Sequence, residues 1–276
     1  MSAVPGRPRR LVVVAGTGTE IGKTWVGAAV LGALRSDGWV VAARKPAQSN
    51  TPGEPTDADL LAAASGEAPE RVCPPHRSYK VPMAPPMAAE ALGLEPPTIA
   101  DLVGEVAGSW GGRAADVGLV ELAGGVASPA ATDGDGAALT AGVEPDAVVL
   151  VADAGLGTIN SVRLSLDRLR TAGVGGPVVV FLNRYDSSVE LHRRNRSWLA
   201  ERDGFEVLTD LEPLAERIVE LAEDFCGSCG LVLSQCLGDC ARPLDPDRYC
   251  TRCGRTLVVS ISPAGHSARC KVHGAT

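Results

Sequence analysis

Apolar residues recur along this chain in short runs of branched and aliphatic side chains, separated by segments of helical length. Leu11-Val12-Val13-Val14-Ala15 is the first run, and after a glycine-rich turn comes Val26-Gly27-Ala28-Ala29-Val30-Leu31, an apolar stretch in a helical pattern. Further runs occupy residues 39–43, 117–121, 148–152 and 177–182. Runs of this length without polar alternation suit strands buried on both faces. Their separation by helix-length segments predicts a doubly wound, mostly parallel α/β sheet. Such sheets bind ligands beyond the carboxyl ends of their strands, so polar residues at those ends are the candidates for chemistry.

The turn after the first run reads Gly16-Thr17-Gly18-Thr19-Glu20-Ile21-Gly22-Lys23-Thr24. A glycine loop ending in Gly-Lys-Thr between strand and helix is a phosphate cradle. Loop amides and the helix N-terminus face the anion, Lys23 reaches the terminal phosphates, and the Thr24 hydroxyl ligates Mg²⁺. A P-loop NTPase-type fold that binds a nucleoside triphosphate is therefore expected. Five residues, rather than the usual four, separate Gly16 from Gly22.

Other polar residues fall at the same edge. Lys45 follows the second run, and Pro46 fixes the direction in which the chain leaves it. Asp57 and Asp59 open a helical segment, where they either cap the helix or support Mg²⁺. Glu121 ends the 117–121 run before Leu122-Ala123-Gly124-Gly125, a place where a carboxylate has little structural purpose and suits Mg²⁺. Asp153-Ala154-Gly155-Leu156-Gly157-Thr158-Ile159-Asn160 opens another helix and offers a second anion site. Asn183 ends the 177–182 run with both a donor and an acceptor, as reading a base edge requires.

Composition narrows the partners. The chain has 276 residues, 45% hydrophobic content and 4% aromatic content, enough for one substantial domain and a small one. A net charge of -7 argues against a nucleic-acid footprint. No apolar run is long enough to span a bilayer, and Arg7, Arg9 and Arg10 lead into a strand rather than a signal segment, so a soluble, cytoplasmic protein is expected.

The ordered set of Gly-Thr-Gly-Thr-Glu-Ile-Gly-Lys-Thr, Lys45-Pro46 with Ser49, Asp57, Glu121 with Ala123-Gly124-Gly125, Leu156-Gly157-Thr158-Ile159-Asn160 and Asn183 resembles the ATP-dependent dethiobiotin synthetase family over about residues 9–217. The extra loop residue belongs to that family's pattern. The resemblance implies an ATP- and Mg²⁺-dependent cyclo-ligase that carboxylates 7,8-diaminopelargonate with CO₂, phosphorylates the carbamate and closes the ureido ring. It assigns Lys45 to the carbamate and γ-phosphate and Lys23 to the phosphates. Thr24, Asp57 and Glu121 would hold Mg²⁺, and Ser49 would touch the diamine. The nucleotide would meet Glu20, Ile21, Gly22, Lys23, Thr24 and Trp25, with Asn183 at the adenine and Glu212, Pro213 and Leu214 in a further loop. Leu156, Gly157, Thr158 and Asn160 would meet the substrate carboxylate across a homodimer interface. Two positions depart from the family: Leu122 stands where a glycine is usual, beside the phosphate, and Ser161 where a histidine is usual. They leave open a second reading, a nucleotide-binding regulatory or scaffold protein with a weakened catalytic site and a zinc-ribbon tail.

Seven of the eight cysteines lie in residues 226–276. Cys226-Gly-Ser-Cys229-Gly and Cys250-Thr-Arg-Cys253-Gly have the form of metal knuckles, and these four thiolates would make a tetrahedral zinc site. Cys236, Cys240, Cys270 and His273 remain for a second site or an iron–sulfur cluster. Two domains are thus expected, 1–222 and a small Cys-rich metal-binding domain at 226–276, joined near residues 222–225. Residues 225–274 also resemble the actinobacterial biotin synthase auxiliary protein family, which implies an iron–sulfur-associated module supporting biotin synthase. Cys73 stands apart as an ordinary half-buried thiol.

Overall fold

The structure is a computed structural model, and it describes residues 7–51, 53–111, 115–220, 225–231, 233–240, 245–251, 254–262, 265–270 and 274–275. Six strands form the central sheet: β1 (Arg10–Gly16), β2 (Val41–Arg44), β3 (Val117–Glu121), β4 (Ala147–Asp153), β5 (Val178–Asn183) and β6 (Glu206–Leu208). Their order is β6-β5-β4-β1-β3-β2, and every neighbouring pair is parallel. From β1 the chain runs out to the edge strand β2, returns to β3 and crosses over β1 to β4. That reversal leaves a crevice at the carboxyl end of β1, flanked by β3 and β4.

The apolar runs become central strands because both faces of each are covered. Val13, Val120, Leu150 and Val180 point into one core, while Val12, Val14, Leu119, Val149 and Phe181 point into the other. The first core is closed by α3 (Ile99–Ser109), α4 (Gly136–Val143) and α5 (Thr158–Thr171) through residues such as Leu102, Leu139 and Leu166. The second is closed by α1 (Lys23–Ser36), α2 (Asp57–Ser65) and α6 (Leu211–Glu220) through Leu31, Leu61 and Ile218. The strand beginning expected at residue 39 starts instead at Val41. The short edge strand β6 has only three residues and no run long enough to announce it.

Beyond α6 the described residues form a small antiparallel sheet of β7 (Val258–Ser262), β8 (Gly265–Cys270) and β9 (Gly274–Ala275). Cys250, Leu257 and Cys270 make its core. Two residues that precede this sheet, Phe225 and Thr251, meet the amino end of β1, where the Arg9 guanidinium lies 4.9 Å from the centre of the Phe225 ring and donates to the Thr251 carbonyl at 3.3 Å. The expected junction at 222–225 lies largely outside the described residues. No helix among the described residues is long and apolar enough to cross a membrane.

Candidate functional site

The loop between β1 and α1 is held by its own backbone. Gly22 caps α1 with φ +92°, in the left-handed region, and a Cβ there would overlap Nδ2 of Asn183. Asn183 Nδ2 donates to the Ile21 carbonyl at 2.8 Å, tying the end of β5 across to the loop. Lys23 folds back so that Nζ donates to the Gly18 carbonyl at 2.9 Å. Burial first, and then the charge of Lys45, pushes the Lys23 ammonium down to about 8.

Three separated segments bring their polar ends to one point beside this loop. Thr24 Oγ1 donates at 2.8 Å to either Asp57 Oδ1 or Glu121 Oε1, both within reach. Lys45 Nζ lies 2.7 Å from Asp57 Oδ2 and 2.6 Å from Glu121 Oε1, and 3.3 Å from the Leu122 carbonyl. Burial opposes the charge on Lys45, but Glu121 and Asp57 outweigh it and hold the ammonium above the ordinary lysine value. Asp57 is likewise held below the usual carboxylate range: the Lys45 charge and hydrogen bonds overcome its desolvation. The two acidic residues of α2 divide the work. Asp59 completes a capping box with Thr56, which frees Asp57 to face the site.

These groups open on a cavity of about 730 Å³ that also exposes Glu20, Ser49 and Met83. Ser49 Oγ donates to the Met83 carbonyl at 2.6 Å, so the two walls of the cavity are joined. Gln48, not singled out in the sequence, is 4% exposed and accepts from the Ala58 backbone, fixing α2 against the floor. A second cavity, about 620 Å³, opens on Gly22, Trp25, Asn183, Arg184, Asp210 and Leu211.

Two expectations change. Leu214 is fully buried in the core beneath α6, since its helical register points it at the sheet, and Glu212 and Pro213 do not line the second cavity. Thr209, Asp210 and Leu211, one step earlier at the turn into α6, line it instead. Leu122 does not stand beside the phosphate loop: its side chain is 1% exposed and packs into the core with Leu102 and Leu139. Only its backbone carbonyl reaches the site. At the start of α5, Leu156 is 93% exposed and Thr158 is buried; Leu156, Gly157, Thr158 and Asn160 line neither cavity of the single chain, and the contact expected of them is with a second copy. Ser161 Oγ donates within its own helix to the Gly157 carbonyl.

In the tail, Cys226 and Cys229 gather with Cys236 and Cys240 rather than with Cys250. The four sulfur atoms lie within 4.8 Å of one another. A single loop folding back supplies all four. The expected grouping with Cys250 and Cys253 is corrected in that respect: Cys250 stands with Cys270 in the core of the small sheet, and Cys253 and His273 lie outside the described residues. Backbone N–H of Cys229, the Cys240 thiol and backbone N–H of Ser228 pull the Cys226 thiol down to about 6. Cys73 is buried rather than half-buried, and that burial pushes its thiol up to about 12.

A family profile described as an AAA domain matches residues 10–218. The chain is 38% identical over 215 residues to the ATP-dependent dethiobiotin synthetase BioD of Anaeromyxobacter sp. (strain K), covering 75% of this chain and 93% of the relative. It is 37% identical over 174 residues to the protein of the same name from Streptomyces coelicolor, covering 62% of this chain and 70% of the relative. Among solved structures, a plasmid partition protein from Borrelia burgdorferi B31 bound to AMPPNP is similar at a TM-score of 0.48 and 15% identity, over 78% of this chain and 98% of that one. At this identity, and with nine-tenths of the Anaeromyxobacter relative covered, the chain belongs to the ATP-dependent dethiobiotin synthetase family.

Proposed function

We propose that this protein carries out the ATP- and Mg²⁺-dependent carboxylation and ring closure of 7,8-diaminopelargonate to dethiobiotin, a cyclo-ligase step of biotin biosynthesis. The observation that carries this reading is the buried Lys45 ammonium, held between Asp57 and Glu121 at the floor of a cavity that also opens on Lys23 and Ser49. One amine of the diamine adds to CO₂ and loses a proton, giving a carbamate. The carbamate oxygen takes the γ-phosphoryl group and releases ADP; the second amine then attacks the carboxyl carbon, expels phosphate and closes the ring. Lys45 holds the carbamate against the γ-phosphate, and Lys23 offsets the phosphate charge.

Thr24, Asp57 and Glu121 would hold Mg²⁺. The oxygen-only donor set suits that ion, and Glu121 Oε2 is buried without a hydrogen-bond partner among the described residues, a free acceptor beside the phosphate loop. When bound, the ion supplies positive charge to the transferring phosphoryl group. Asn183 reads adenine from the second cavity, and Ser49 and Glu20 meet the diamine side. Thr158 Oγ1, buried and without a partner among the described residues, supports a carboxylate contact completed by a second copy of the chain. The protein acts as a cytoplasmic homodimer, and its metal- or iron–sulfur-bearing tail assists biotin synthase in the following step.

The core of Leu122 argues against the reading of a weakened, purely regulatory site, because that departure leaves the phosphate loop clear. Purified protein supplied with the diamine, bicarbonate and ATP is expected to form dethiobiotin and ADP in equal amounts. No turnover by a preparation that binds ATP would overturn the assignment. Comparing biotin synthase turnover with the full chain and with a chain ending at residue 220 tests the role of the tail.

A further inference from the structure

The sulfur atoms of the tail cluster are too close together for a polynuclear centre. Cys226 and Cys240 are 3.3 Å apart, Cys236 and Cys240 3.3 Å, and Cys229 and Cys236 3.7 Å. Four thiolates at about 2.3 Å from one Zn²⁺ form a tetrahedron whose edge is about 3.8 Å. In an iron–sulfur cluster the thiolates are divided among iron atoms, with bridging sulfide between them, and those on different irons stand further apart than any pair here. The space enclosed here, with no pair of sulfurs beyond 4.8 Å, takes one ion and no sulfide. None of these cysteines is in a disulfide.

The backbone is built to keep the sulfurs in that arrangement. Cys226 N–H donates to the Leu231 carbonyl at 2.7 Å, and Gly230 N–H donates back to the Cys226 carbonyl at 2.8 Å, closing a tight knuckle. Gly230 sits at φ +75° with the Tyr249 ring where a Cβ would go, so the turn is fixed by the packing beneath it. Cys236 follows the short helical turn Leu233–Gln235, which returns the chain to the knuckle. Cys240 completes the set.

We propose that Cys226, Cys229, Cys236 and Cys240 hold a single tetrahedral Zn²⁺ as a closed four-thiolate site. The inference rests on the reading of the tail as metal-binding. Each thiol gives up its proton as the ion binds, and four sulfur ligands leave no open position for substrate. The centre therefore orders the tail and does no redox chemistry.

The test uses the full chain, purified anaerobically without chelator, beside the double variant Cys236→Ser/Cys240→Ser. Elemental analysis is expected to show one equivalent of zinc per chain lost in the variant. The X-ray absorption of the intact protein should show zinc–sulfur scattering at about 2.3 Å. Cobalt substituted into the intact protein should show the visible bands of tetrahedral thiolate coordination, which gives a readout independent of how the variant folds. Loss of iron and acid-labile sulfide on the double substitution, with zinc unchanged, would overturn this proposal while leaving the tail a metal-binding module. An intact protein that holds neither metal, and gives no tetrahedral cobalt spectrum, would overturn both.

Discussion

The Lys45 ammonium lies 2.6 Å from Glu121 Oε1, and neither side chain is more than 2% exposed. An ion pair so enclosed, at the ends of two neighbouring strands, is sustained by complementary charge and hydrogen bonding and is costly to break from one side. Lys45→Ala leaves Glu121 buried without its counter-charge. Stability is expected to fall by about 3 kcal/mol, read from urea unfolding. Turnover is expected to drop by about 100-fold or more while ATP binding is retained, because the missing donor serves the transferring group rather than the bound nucleotide. Unchanged turnover would remove Lys45 from the reaction.

Magnesium should rescue that variant selectively. A divalent cation on Asp57 and Glu121 replaces the lost positive charge, so added Mg²⁺ is expected to raise the melting temperature of Lys45→Ala more than that of the unsubstituted protein. Equal shifts in both proteins would place the ion elsewhere.

Lys23 gives the phosphate loop a pH dependence. Its pKa is about 8 against an ordinary 10.5, so in the free protein the ammonium is lost as pH rises through 8. ATP affinity, measured calorimetrically across that value, is expected to weaken on the alkaline side, and Lys23→Met should abolish the inflection. The folding contribution has the opposite sign. Between about 8 and 10.5 the unfolded chain keeps a proton that the native site has released, so this group adds stability as pH rises through that window.

Gly22→Ala should disable the loop. The left-handed backbone costs an alanine about 1–2 kcal/mol, and the new methyl group meets the Asn183 amide. A loss of about tenfold or more in ATP affinity is expected, since 1.4 kcal/mol is tenfold. Gly22→Ala should also lower the melting temperature, and adding Asn183→Ser should recover part of that loss by making space, though not the ATP affinity, since Asn183 serves the base. No recovery would show that backbone strain alone is responsible.

Leu122→Gly restores the residue usual in the family, yet it should weaken this protein. Emptying a core position costs about 2–5 kcal/mol, to which the mobility of glycine in the unfolded chain adds about 0.5–1 kcal/mol. Thermal unfolding should report that loss with no rise in turnover. A large rise would mean that the side chain reaches the phosphates after all.

The parts of the site that were legible in the sequence are those fixed by strand ends and helix starts. Glu121 closes a strand whose bounds match the apolar run, and Thr24, Asp57 and Lys45 each sit within a residue or so of an element boundary, so their convergence follows from the sheet order. Leu214 was harder because a helix presents every position within two turns, and only packing against α1 and β1 decides which face is dry. The cysteines were harder still. The two Cys-x-x-Cys pairs look equivalent in the sequence, whereas the chain reversal at Leu233–Gln235 supplies the nearer partners. Leu122 shows the same limit from the other side, since a position beside the phosphate loop in sequence points its side chain the other way.

The glycine loop grows from the carboxyl end of β1, and Arg9 fastens the cysteine module to the amino end of the same strand. Seven residues of extended chain hold them about 20 Å apart. Fusion thus guarantees the two modules in equal numbers. Any molecule handed from the glycine-loop site to the cysteine module would have that distance to cross.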